Sequence, residues 1–164
     1  MEQEFDDLLM GDEDTLKGKF LIFSMGNEDY GIEIRHVTEI IGIQAITPVP
    51  ELEEYVKGVI NLRGKIIPVM DVRLRFKKPE REYDDRTCII IIEIRDLFIG
   101  LIIDRVSEVV SISDEEIAAP PDFNKNFHNK YIKGIGKINN SVKLLLDCEK
   151  ILSDDEIDSL SNIG

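Results

Sequence analysis

The sequence predicts an all-β protein, mainly strands with a few short helices, arranged as two small barrels that share a core. Three observations carry this. Apolar runs are short, rich in Ile and Val, and bounded by Gly, Pro, Asn and Asp, the signature of strands and turns. The chain repeats itself. The repeated unit is about 70 residues, too small to bury much alone, whereas two packed units approach the burial of a ~150-residue domain. Closing each unit into a barrel removes exposed strand edges.

Phe20–Met25 is a strand, residues 26–29 a turn, and Tyr30–Ile34 the returning strand. Arg35 to Ile41 forms one or two helical turns or a bent strand. Thr47-Pro48-Val49-Pro50 fixes extended backbone. Glu51–Lys57 is a short helix or loop. The chain is organised around Lys57 to Asp71: a strand, a tight turn at Arg63-Gly64, and a strand back. Gly64 supplies positive φ there. Asn61 and Arg63 are left as polar groups at the tip of an apolar hairpin. Burying that guanidinium unpaired would be expensive, so Arg63 belongs at the surface on a rigid support. Pro68 inside an apolar run points to an edge strand or a bulge.

Residues 77–86 are charged and unpatterned, the best boundary between two halves. Thr87–Ile94 and Leu97–Ile103 make a second hairpin about Arg95-Asp96. Ser113 and Glu116 fit a capping box, as do Ser153 and Glu156 before a short helix near 154–161. Ile132–Ile138 and Val142–Leu146 pair about Asn139-Asn140. The expected division is an acidic flexible tail at 1–16, barrels at 17–82 and 83–150, and a C-terminal helix and tail at 151–164.

The repeat is specific. At a shift of 69, Tyr30-Gly31-Ile32-Glu33-Ile34 aligns with Ile99-Gly100-Leu101-Ile102-Ile103, and Val37-Thr38-Glu39-Ile40-Ile41 with Val106-Ser107-Glu108-Val109-Val110. At a shift of 76, Tyr55-Val56-Lys57-Gly58-Val59 aligns with Tyr131-Ile132-Lys133-Gly134-Ile135, and Asp71 with Asp147. The copies part company at one place: Asn61-Leu62-Arg63-Gly64 faces Lys137-Ile138-Asn139-Asn140. A different turn serves the second copy, so the Arg-Gly tip is spare to the fold and marks a binding residue.

Composition narrows the function. The net charge is −13, but residues 1–15 hold seven acids and no base, and residues 147–164 hold six acids and one Lys. The body between them is close to neutral. Nucleic acid binding, which needs a basic face, is disfavoured. No apolar run is long enough for a membrane span or a signal peptide, so no direct membrane insertion is expected. Cys88 and Cys148 are isolated and read as buried thiols of a reducing compartment. His36 and His128 lack companions at ligand spacing, so neither a metal nor another cofactor is expected. Gly134-Ile135-Gly136-Lys137 lacks the spacing of a phosphate loop and reads as a strand with close backbone approach. Asp71 and Asp147 recur in both copies and read as caps rather than a catalytic pair, and Asp104-Arg105 as a surface or local ion pair. No catalytic residues are assigned.

Phe20-Leu21-Ile22-Phe23, Tyr30-Gly31-Ile32-Glu33-Ile34, and Lys57 to Gly64 with Ile67-Pro68-Val69-Met70-Asp71 together resemble the CheW-type chemotaxis coupling proteins. Gly100 to Val106 and Tyr131 to Ile135 extend the resemblance, which spans about residues 18–160. It implies two five-stranded SH3-like barrels about a pseudo-twofold. It also implies a non-enzymatic, cytoplasmic adaptor joining methyl-accepting chemoreceptor tips to the histidine kinase CheA in signalling arrays. The alternative is a similar scaffold of another two-component or motility pathway. The receptor tip is expected in a groove near Val37, Asn61, Leu62, Arg63, Gly64 and Val109. Kinase contacts are expected around Ile34 and Glu39 in one barrel and Phe123 in the other. Ala118 departs from the pattern, standing where some relatives carry a basic residue.

Overall fold

All four hairpins expected from the turn residues form. In a computed structural model, which describes residues 16–119, 131–152 and 160, β1 (Lys19–Met25) and β2 (Glu28–Glu33) turn at Gly26-Asn27. A single 3-10 turn, Ile34–His36, then leads into β3 (Val37–Gly42). β4 (Val56–Leu62) and β5 (Lys65–Asp71) form the central hairpin, β6 (Cys88–Ile94) and β7 (Leu97–Ile103) the next. β8 (Arg105–Ser111), a capped 3-10 turn at Asp114–Glu116 and the short β9 (Ile117–Ala118) come after it. β10 (Ile132–Ile138) and β11 (Ser141–Leu146) complete the strands. Asp71 and Asp147 act as the caps the repeat suggested. Asp71 accepts from the Arg73 amide at 2.9 Å at the start of α1 (Val72–Arg75), and Asp147 from the Glu149 amide at 3.0 Å at the start of α2 (Cys148–Ile151). The second capping box at Ser153 lies outside the described residues, as does the helix expected near 154–161 apart from buried Leu160.

The strands assemble into two sheets, ordered β8-β1-β2-β11-β10-β9 and β3-β6-β7-β5-β4. Exchanging each strand for its repeat copy turns the order β8-β1-β2-β11-β10 into β3-β6-β7-β5-β4, so the repeat is a pseudo-twofold of the fold. The expected barrel boundaries at 17–82 and 83–150 do not follow these sheets. β1 and β2 join the second half's β8, β10 and β11, while β6 and β7 join the first half's β3, β4 and β5. Each barrel is completed by a hairpin lent from the other half. Each lent hairpin is joined on both sides, by the antiparallel pairs β1·β8 and β3·β6 and by the parallel pairs β2·β11 and β5·β7, with Gly31 opposite Leu145 and Gly100 opposite Val69.

Chain length forces both sheets to curl. β8 and β9 lie at opposite edges of the six-stranded sheet, yet only residues 112–116 join them. Such a link reaches roughly 20 Å at most, less than the ~24 Å across a flat sheet of that width. In the other sheet the chain leaving β3 pairs Thr47 with Val59 of β4 across the opening, with both amide bonds at 2.9 Å.

Alternation along the lent hairpins fills three cores. Leu21, Phe23 and Met25 of β1 and Ile90, Ile92 and Ile94 of β6 meet in the core between the barrels. Phe20 and Ile22 point into the six-stranded barrel, Ile89 and Ile91 into the five-stranded one. These strands are buried on both faces, which is why they read as continuous apolar runs.

Two local expectations are corrected. Pro68 is not on an edge strand, since β5 lies between β7 and β4. Counting inward from Leu62↔Lys65, Val59↔Pro68 is a non-hydrogen-bonded pair, and pairing to β7 starts only at Val69. The missing amide therefore falls where no ladder bond is due. Asp104 is not a surface group paired with Arg105. It is 8 % exposed and takes a two-pronged bond from Arg73, at 2.7 Å and 2.6 Å.

Candidate functional site

The tip of the β4–β5 hairpin is a two-residue turn in which Arg63 (φ 53) and Gly64 (φ 85) are both left-handed. That pattern is the type I′ turn, whose twist matches the flanking strands. The positive φ expected of Gly64 alone is shared by Arg63. The Arg63 side chain then projects from the barrel end and is 71 % exposed. Its Nη2 donates to Glu39 Oε2 on β3 at 2.5 Å. The bond raises the guanidinium above its ordinary value, and Arg63 is charged at any physiological pH. Glu39 Oε1 is buried and without a hydrogen-bond partner among the described residues, so the carboxylate is committed to Arg63 through one oxygen only.

Asn61 Oδ1 accepts from the Gly64 amide at 2.8 Å, and Gln44 Nε2 donates to the Asn61 carbonyl oxygen at 3.4 Å. Leu62 is half-buried against the core of the five-stranded barrel. The next residues continue the patch: Lys65 lies over the Phe98 ring, and Ile66 is 43 % exposed. Lys65, Phe98 and Gln44 carry no motif of their own, and only their place beside the turn marks them.

Of the residues expected in the receptor groove, Asn61, Leu62, Arg63 and Gly64 form this tip. Val37 is 3 % exposed in the core between the barrels and offers no contact surface. Val109 lies on β8 in the other sheet, half-buried against that same core. Of the expected kinase contacts, Ile34 is fully buried, because the 3-10 turn before β3 folds its side chain inward. Glu39, expected in the kinase set, is joined directly to Arg63, so one patch holds members of both sets. Phe123 lies outside the described residues.

Nearby charge has other duties. Glu33 is bound by Arg35 and Lys133, with His36 at 3.5 Å. Burial and the Arg35 charge push His36 below its ordinary value. The Cys148 thiol is pushed up to about 12 by burial, so it is no nucleophile at neutral pH. Among the described residues no group of three His, Cys, Asp or Glu side chains is placed to hold a metal ion. No helix among them is long and apolar enough to cross a membrane.

A family profile described as a CheW-like domain matches residues 19–156. The chain is 36 % identical over 151 residues to the chemotaxis protein CheW of Klebsiella aerogenes, covering 92 % of this chain and 91 % of that protein. It is 36 % identical over 134 residues to CheW of Bacillus subtilis, covering 82 % and 86 %. The crystal structure of the scaffolding protein TtCheW from Thermoanaerobacter tengcongensis matches with a TM-score of 0.74 at 37 % identity, over 79 % of this chain and 88 % of that one. With the strand-exchanged double barrel beneath them, these matches make the chain a member of the CheW-like family of chemotaxis scaffold proteins.

Proposed function

We propose that this protein is a non-catalytic adaptor that couples the cytoplasmic tips of methyl-accepting chemoreceptors to the histidine kinase CheA, at membrane-associated receptor arrays. The observation that carries the reading is the Arg63 tip. It is a left-handed, exposed, charged turn braced by Glu39, and the duplicate hairpin has Asn139-Asn140 in its place. A residue the fold does not need, on a rigid barrel end, suits recognition.

On this reading the receptor tip docks on the turn that Asn61, Leu62, Arg63 and Gly64 build. Glu39 and the surface beside it, together with Phe123, meet the kinase. Val37 and Ile34 support these surfaces from inside, and Val109 marks the far side of the receptor groove. The mechanism is geometric. One surface holds the receptor and others hold the kinase, and coupling is the free energy that links the two sites.

Arg63→Ala is expected to leave the fold intact and to weaken binding of a receptor cytoplasmic fragment about 30-fold, as for an interface hot spot. Calorimetric titration of wild type and variant, with thermal melts of each, checks it. Equal affinity of the two proteins for the receptor fragment would refute the assignment.

A further inference from the structure

We propose that Asn61 acts as a positioning residue, a clamp that holds the turn so that Arg63 is presented, rather than as a receptor contact; this deepens the adaptor reading and rests on it. Three observations carry the inference. First, Asn61 Oδ1 accepts the Gly64 amide at 2.8 Å, tying the strand to the second residue of the turn. The amide of Gly64 faces no ladder partner at the tip, so the side chain supplies the bond the backbone does not. Second, Arg63 sits at φ 53, a region that Asn enters readily and that costs a long side chain such as Arg about 1 kcal/mol or more. Third, the duplicate hairpin makes the same turn with Asn139 (φ 48) and Asn140 (φ 67), two residues suited to that backbone. At the position equivalent to Asn61 it carries Lys137, which has no acceptor to give.

The clamp thus occurs where the repeat has Arg in place of a turn-forming Asn, and is missing from the copy with the Asn pair. Gln44, donating to the Asn61 carbonyl oxygen, steadies the same residue from the adjoining loop. Among the described residues the Asn61 side chain bonds through its carbonyl oxygen. An acceptor of the same shape will serve, and a methyl group will not.

The test compares Asn61→Ala and Asn61→Asp, each alone and with Arg63→Ala, in two measurements on the full chain. In amide hydrogen exchange, Asn61→Ala is expected to speed exchange at Gly64 at least tenfold, while Asn61→Asp stays within about threefold of wild type. In titrations against a receptor cytoplasmic fragment, Asn61→Ala is expected to weaken binding five- to tenfold and Asn61→Asp less than twofold. In the Arg63→Ala background, Asn61→Ala is expected to change affinity no further. Unchanged exchange at Gly64 in Asn61→Ala overturns the clamp whatever the receptor does. An equal loss from Asn61→Ala with and without Arg63 makes Asn61 a contact residue and also overturns it. If Gly64 exchange responds as expected and Arg63→Ala leaves binding untouched, the adaptor site itself fails, and the presenting role of the clamp fails with it.

Discussion

Gly58→Ala is expected to destabilise the protein by about 4 kcal/mol, a severe loss for one added methyl group. A Cβ at this position would lie 2.1 Å from the Thr47 carbonyl oxygen, 2.7 Å from its carbon and 2.9 Å from Pro48 Cα. All three are backbone atoms, which cannot swing aside as a side chain does. The glycine also holds φ +144, a conformation that L residues rarely adopt. It marks the register shift in β4 and stands next to Val59, whose two bonds with Thr47 close the five-stranded barrel. The added methyl therefore forces open the contact that seals the sheet. For a chain of this size the loss corresponds to a fall in Tm of about 10 °C. The repeat supplies a control. At Gly134, the equivalent glycine, the nearest atom is Ile117 Cγ2 at 2.5 Å, a side-chain methyl rather than backbone. Gly134→Ala should cost clearly less. Circular dichroism melts of the two variants check both statements, and a Gly58→Ala protein melting within about 2 °C of wild type would contradict the barrel closure.

Asp104→Asn is expected to cost about 3 kcal/mol, since removing one partner strands the other's charge. Asp104 gathers Arg73 in two bonds, the Gly26 amide at 2.8 Å and Arg81 at 3.0 Å. Arg73 also donates to the Pro79 carbonyl oxygen. These groups come from the β1–β2 turn, the β7–β8 junction, α1 and the charged segment after it, so the network fastens one barrel to the other. Burial alone would push the Asp104 carboxyl up, but the bonds from Arg73 and Gly26 and the Arg73 charge outweigh it and hold it below the ordinary carboxylate range. Its folded value lies below its unfolded one. Its contribution is fully present above the unfolded value, near pH 4, and is lost as the pH falls through the folded value. The gap in stability between wild type and Asp104→Asn should be constant from about pH 5 to 8 and narrow below about pH 4. Urea denaturation across that range measures it, and a gap that widens on acidification would sink the assignment.

Much of this molecule is legible in its residues alone. The four hairpins follow from turn residues and short apolar runs, and the caps at Asp71 and Asp147 follow from their place after matching strands. The Arg63 tip stands out because one half of the repeat has it and the other does not. Val37 and Ile34, which the family resemblance puts at contact surfaces, are buried, and a residue at a bend looks alike in sequence whether its side chain faces in or out. Glu39 reads as belonging to a different contact from Arg63, from which it is separated by 24 positions in the chain.

Local chemistry settles where strands begin, where they turn and that the chain is doubled, since propensity, turn geometry and the alternation of apolar residues act over a few residues. Which half lends a hairpin to which barrel is beyond its reach. The apolar runs of β1 and β6 are buried on both faces and would suit either barrel, so nothing in their pattern names a neighbour. That choice, and with it the pairing of Asp104 with Arg73 and of Glu39 with Arg63, is made by the packing of the whole chain. With the hairpins exchanged, β1 and β6 each fill two cores at once, one on each face.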